Sequence, residues 1–136
     1  MKKTYLDKKI DVKIKIAALW GAMMILYIYN DFFHLFVPGS IQDILDGNMG
    51  PVEISQFTLF AAAAMMALPV LMGLFTLLLS SKFGRVLNIV FGILYSAINL
   101  ANFPGEYIFY MFLGVIQLSL TVYITYLAFK WPKNEQ

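Results

Sequence analysis

Four long stretches of the chain are almost free of formal charge. Residues 54–81, 86–105 and 107–129 carry no Asp, Glu, Lys or Arg, and residues 16–37 carry only Asp31. The runs span 28, 20, 23 and 22 residues, and each reaches the roughly 20 residues a helix needs to cross a hydrocarbon core of about 30 Å. The pattern predicts an all-α, integral membrane four-helix bundle. Its spans cover about 14–37, 55–80, 84–103 and 105–130, in one domain of residues 1–136. Open strands are excluded because lipid cannot satisfy their backbone groups, and a barrel would show short segments of alternating polarity instead.

Composition sharpens this picture. Hydrophobic residues make up 60% of the chain and charged residues 13%, against about 25% charged in a soluble domain. Such a body cannot cover itself with polar surface, which excludes a soluble globular domain, a disordered chain and a nucleic-acid binder. All ten basic residues fall on three segments: Lys2, Lys3, Lys8, Lys9, Lys13 and Lys15 before the first span, Lys82 and Arg85 between the second and third, and Lys130 and Lys133 in the tail. The other two links hold none and carry Asp43, Asp46, Glu53 and Glu106. The positive-inside rule therefore puts the chain in the cell membrane with both termini cytoplasmic, and argues against dual topology.

The flanks and the long link add three expectations. Ile16–Val37 is longer than a signal-peptide core and has no small-x-small site before Pro38-Gly39, so it reads as a retained signal anchor. Leu6, Ile10, Ile14 and Ala17 stand at helical spacing among lysines, as in a basic helix lying on an anionic inner leaflet. The plainer reading is a charged flank that sets topology. In the link between the first two spans, Ser40 with Asp43 forms a capping-box-like start, and Ile41, Ile44 and Leu45 form an apolar side. A short extracytoplasmic amphipathic helix over 40–46 follows. It acts as a lid over the bundle mouth or simply rests in the headgroups.

Several chemistries are absent. With no cysteine there is neither thiol exchange nor a thiolate metal site, and one histidine cannot supply bis-His haem ligation. No phosphate loop, G-x-S-x-G or H-E-x-x-H occurs. No metal or cofactor is expected, and the reading leans away from an enzyme.

Polar residues inside the spans are more informative. In the first span Tyr27, Asp31 and His34 share a face with Asn30 beside them. Asp31 lies 15 residues beyond Ile16, about 22 Å along the axis, in the outer third of the membrane. Exposed there it would be costly, so it is expected to face the bundle or a wet cavity. The third span carries a stripe of Asn88, Gly92, Tyr95, Asn99 and Asn102, and the fourth one of Glu106, Tyr110, Gly114, Gln117, Thr121 and Thr125. Asn99, Asn102, Glu106 and Tyr110 come to the depth of Asn30, Asp31 and His34. Asn, Gln and Thr also serve as packing glue between helices, whereas an ionisable Asp31 is a functional candidate by default. The second span is narrow and rich in alanine and methionine. Pro69 should kink it or leave a carbonyl unpaired, and Met65, Pro69, Met72 and Thr76 share one face.

Together these residues carry a resemblance. Tyr27-x-Tyr29-x-Asp31, Pro38-Gly39, Ile44-Leu45-x-Gly47-Asn48-Met49-Gly50, Leu68-Pro69 and Lys130-Trp131-Pro132, over roughly residues 12–132, resemble a family of small bacterial four-helix membrane proteins of unknown function. The resemblance implies fold and topology and transfers no activity.

The leading functional expectation is a pocket in the outer half of the bundle for a small amphiphile such as a lipid, quinone or sterol-like molecule. Tyr27, Asn30, Asp31, His34, Tyr95, Asn99, Asn102, Glu106 and Tyr110 form its polar end, and Met and Phe residues of the second span its apolar end. If the site is catalytic, Asp31 and His34 are the acid-base pair. The alternatives are an accessory or scaffold subunit without a ligand and a small proton-coupled transporter. Membrane lipids and a second copy of the chain are the expected partners.

Overall fold

Each charge-poor run becomes a helix because, once lipid surrounds it, the backbone must satisfy its own hydrogen bonds. The computed structural model describes residues 2–103 and 107–133. It contains α1 (Val12–His34), α2 (Ser40–Leu45), β1 (Asn48–Met49), β2 (Val52–Glu53), α3 (Gln56–Leu78), α4 (Ser81–Ala101) and α5 (Ile108–Phe129). The helices α1, α3, α4 and α5 are each long and apolar enough to cross a membrane. They form a ring in which α1 packs on α3 and α5, and α4 packs on the same two, leaving α1 and α4 as a diagonal pair.

The helix ends follow from local chemistry. Asp11 caps α1, its carboxylate accepting the Lys13 N–H at 2.8 Å. Ser55 and Thr58 cap α3 reciprocally, at 2.8 and 3.1 Å. Where α3 and α5 end, basic side chains donate to their last carbonyls: Lys13 Nζ to Leu79 O at 2.7 Å and Arg85 Nε to Ala128 O at 3.1 Å. Cations at helix C-termini also complement the helix dipole. Lysines and the arginine thus gather at one end of the bundle, the basic end. The link carrying Asp43, Asp46 and Glu53 lies at the other, the acidic end.

The core is unusually polar along its axis. Trp20, fully buried, donates Nε1 to Asn88 Oδ1 at 2.7 Å across the diagonal. Asn88 Nδ2 lies 2.9 Å from Thr76 Oγ1 and 2.7 Å from Gly84 O, and the Thr76 hydroxyl donates to Met72 O at 2.7 Å. One asparagine thereby ties three helices together with every group partnered, the condition under which buried polar groups are tolerated. Above it, the Tyr95 and Trp20 rings meet at a right angle, with centroids 5.8 Å apart. Gly92 permits α4 and α5 to touch: a Cβ there would overlap Thr125 Oγ1 and stand 3.5 Å from the Thr125 Cα.

Three local expectations are corrected. Residues 2–11 are not helical and α1 starts only at Val12. Leu6, Ile10 and Ile14 are exposed, since lysines crowded at short spacing repel and a two-turn helix barely repays its nucleation. The short helix expected over 40–46 forms as α2, but its cap is Gly39 in the left-handed region (φ 91°), with no side-chain cap from Ser40. None of its residues is buried, and it packs on β1. The segment after Gly47 is a hairpin, pairing Asn48 with Glu53 and Met49 with Val52 about Gly50-Pro51. On α3, Pro69, Met72 and Thr76 are buried together, but the Met65 side chain is exposed.

Candidate functional site

Toward the acidic end the polar axis continues with Tyr27, whose hydroxyl donates to Asn99 Oδ1 across the diagonal. Asn99 Nδ2 in turn reaches Thr121 Oγ1 at 3.4 Å. Asn88, Gly92, Tyr95 and Asn99 of the α4 stripe and Gly114, Gln117 and Thr121 of the α5 stripe therefore face inward, and Asn99 meets the Tyr27 side of α1.

Beyond this level the hydrogen bonding stops closing on itself. Asn30 and Gln117 are each 3% exposed. Asn30 Oδ1, Gln117 Nε2 and His34 Nδ1 are buried atoms with no hydrogen-bond partner among the described residues. Asn30 and His34 follow Tyr27 on α1 and lie on the acidic side of the Tyr27–Asn99 bond, whereas Gln117, one turn from Thr121 on α5, is level with that bond, as the pairing of His34 with Tyr110 sets the register. Leaving a buried polar atom unpaired costs about 1–3 kcal/mol. Such a cluster marks a place where packing alone has not been optimised.

From the turn of His34 toward the acidic end, α1 and α5 bear an apolar groove. His34 packs against Tyr110 with ring centroids 6.1 Å apart, and their chain neighbours Phe33 and Phe109 pack at 6.3 Å. The groove, about 510 Å³, opens between Phe33, Phe36, Val37 and Pro38 on one side and Tyr107, Phe109, Phe112 and Leu113 on the other. α1 stops at His34 because the chain tightens before Pro38, with Phe36 N–H to Phe33 O at 3.0 Å and Val37 N–H to His34 O at 3.1 Å. That bend forms one wall of the groove.

The structure sorts the anticipated site residues. Tyr27, Asn30, Asn99, His34 and Tyr110 fall along the α1–α5 seam and its diagonal neighbour. Tyr95 is nearby but committed elsewhere, its hydroxyl donating to Met65 O at 2.6 Å. Asp31 does not face the bundle: the residue is exposed on the flank of α1, because Tyr27 and His34 take the inward positions on either side of it. Asn102 is exposed at the C-cap of α4, and Glu106 lies outside the described residues. The apolar surface expected from the Met and Phe residues of α3 comes instead from α1 and α5; Phe57 and Phe60 are exposed. Gln117 and Thr121 were visible on the fourth-span stripe yet not singled out. The aromatic groove had no periodic signal, since its two walls belong to different helices.

No cluster of three or more His, Asp or Glu suited to a metal ion occurs among the described residues. No curated protein and no solved structure matches the chain. The model of a family of unknown function matches residues 3–136, nearly the whole sequence. The chain belongs to that family, DUF6326.

Proposed function

We propose that this membrane protein binds a small amphiphilic, lipid-like molecule at the acidic end of the bundle. Its polar group meets Asn30, His34 and Gln117, with Asp31 on the flank, and its apolar part lies in the groove along the α1–α5 seam. One observation carries the reading: Asn30 Oδ1, His34 Nδ1 and Gln117 Nε2 are buried without a partner among the described residues, at and beyond the level of Tyr27–Asn99, and the chain neighbour of His34, Phe33, lines an apolar groove. A polar end beside an apolar slot is the form of an amphiphile site. Toward the basic end the buried Asn88 and Thr76 satisfy one another, so the axis there has no group left to offer. By the charge bias the basic end is cytoplasmic, which turns the site and α2 to the opposite side of the cell membrane.

The exposure of Asp31 favours a second reading, a subunit that presents this carboxylate to a polar group on a partner helix. A photoreactive monoacyl amphiphile with a diazirine in its acyl chain separates the two. Binding at the seam predicts saturable labelling confined to 33–38 and 107–113 and competed by the unlabelled amphiphile. Labelling spread evenly over all lipid-facing helices would remove the ligand reading.

A further inference from the structure

The basic end contains a second concavity, of about 570 Å³, where the segment before α1, the start of α4 and the end of α5 converge. Lys9, Lys15 and Lys130 line it, drawn from opposite ends of the chain. Against these three lysines the wall holds one carboxylate, Asp11, which caps α1, so the cleft is net cationic. Apolar groups complete the lining: Val12, Leu127 and Trp131. Trp131 is only 8% exposed, and its ring lies against Gly84, where a Cβ would come within 3.6 Å of it.

A solvated lysine flank needs neither a concavity nor an apolar lining. Here three lysines line one cleft with an indole, at the level where α1 begins and α5 ends. An anionic phospholipid has the matching chemistry, with a phosphate for the lysines and a glycerol with its first methylenes for the indole and aliphatic groups. Trp and Lys at a helix end are also the residues that anchor at headgroup level. We infer that this cleft is a binding site for the headgroup of an anionic phospholipid in the leaflet at the basic end. It is separate from the seam between Phe33 and Phe109 and stands without it.

The test uses the full chain in detergent, titrated with phosphatidylglycerol or with phosphatidylcholine of identical acyl chains, bound lipid being read by native mass spectrometry. The site predicts a preference for phosphatidylglycerol. At about fivefold per lysine, Lys9→Gln/Lys15→Gln/Lys130→Gln weakens that binding roughly a hundredfold, while the corresponding triple change to Arg retains it. Lys2→Gln/Lys3→Gln/Lys8→Gln removes the same charge from the exposed flank and leaves the preference intact. Equal binding of the two lipids would overturn the inference. So would equal losses in the two glutamine triples, which would mean a diffuse field and not a cleft.

Discussion

The Tyr95 hydroxyl donates to the Met65 carbonyl at 2.6 Å, and Met65 is the residue whose helical partner would have been the amide of position 69. Proline has no N–H to give, and Pro69 is fully buried. A hydroxyl from α4 thus repairs the break in α3 and joins the two helices where their packing is least extensive. Such repairs let proline persist in membrane helices.

Tyr95→Phe leaves the Met65 carbonyl unpaired and is expected to destabilise the fold by about 1 kcal/mol. Pro69→Ala restores an amide at position 69, so Tyr95→Phe should cost less in that background. Reversible unfolding in mixed micelles of the four proteins in the cycle measures the coupling. Additive losses would mean that the bond carries no repair.

Gly92→Ala is expected to destabilise by about 1–3 kcal/mol, because the added methyl overlaps Thr125 and the Thr125 backbone is close behind it. Gly21→Ala meets no atom within 4 Å and should be neutral within about 0.5 kcal/mol. The same unfolding assay distinguishes a packing contact from a general effect of glycine replacement.

The long helices were legible because a bilayer leaves a coarse signal: uncharged runs of the required length, with every Lys and Arg at one end. The stripe from Asn88 to Asn99 was legible for a similar reason, since only one face of α4 is polar. Helical period says which residues share a face and is silent on what that face meets. Asp31 shares its face with Tyr27 and His34, yet the inward direction falls through its neighbours and leaves it on the flank. Pro69 announced an unpaired carbonyl without naming Tyr95 as its donor. The hairpin at 48–53 was hidden because its strands are two residues each and mostly exposed, too short for an alternating pattern.

Gln117 and Asn99 should respond in opposite directions. Gln117→Leu removes a buried amide nitrogen that has no partner and is expected to leave the ligand-free protein as stable or about 1 kcal/mol more stable. Asn99→Leu strands the Tyr27 hydroxyl and loses the Thr121 contact, at a cost of about 1–2 kcal/mol. Thermal unfolding after delipidation checks both. Destabilisation by Gln117→Leu would make that amide a structural group.

Orientation can be read directly because the chain has no cysteine. A thiol introduced at the acidic end by Asp46→Cys is expected to react with a membrane-impermeant maleimide on intact cells. One introduced by Lys133→Cys is expected to react only after permeabilisation. The reverse pattern would place the seam on the cytoplasmic side.

The ligand reading is tested most directly by mass spectrometry of the small molecules that stay with the gently purified protein, compared with Asp31→Ala and Gln117→Leu. The account predicts an amphiphile retained by the unaltered chain and depleted in both variants, which remain folded. An identical set of retained molecules in all three proteins, or none in any, would contradict it.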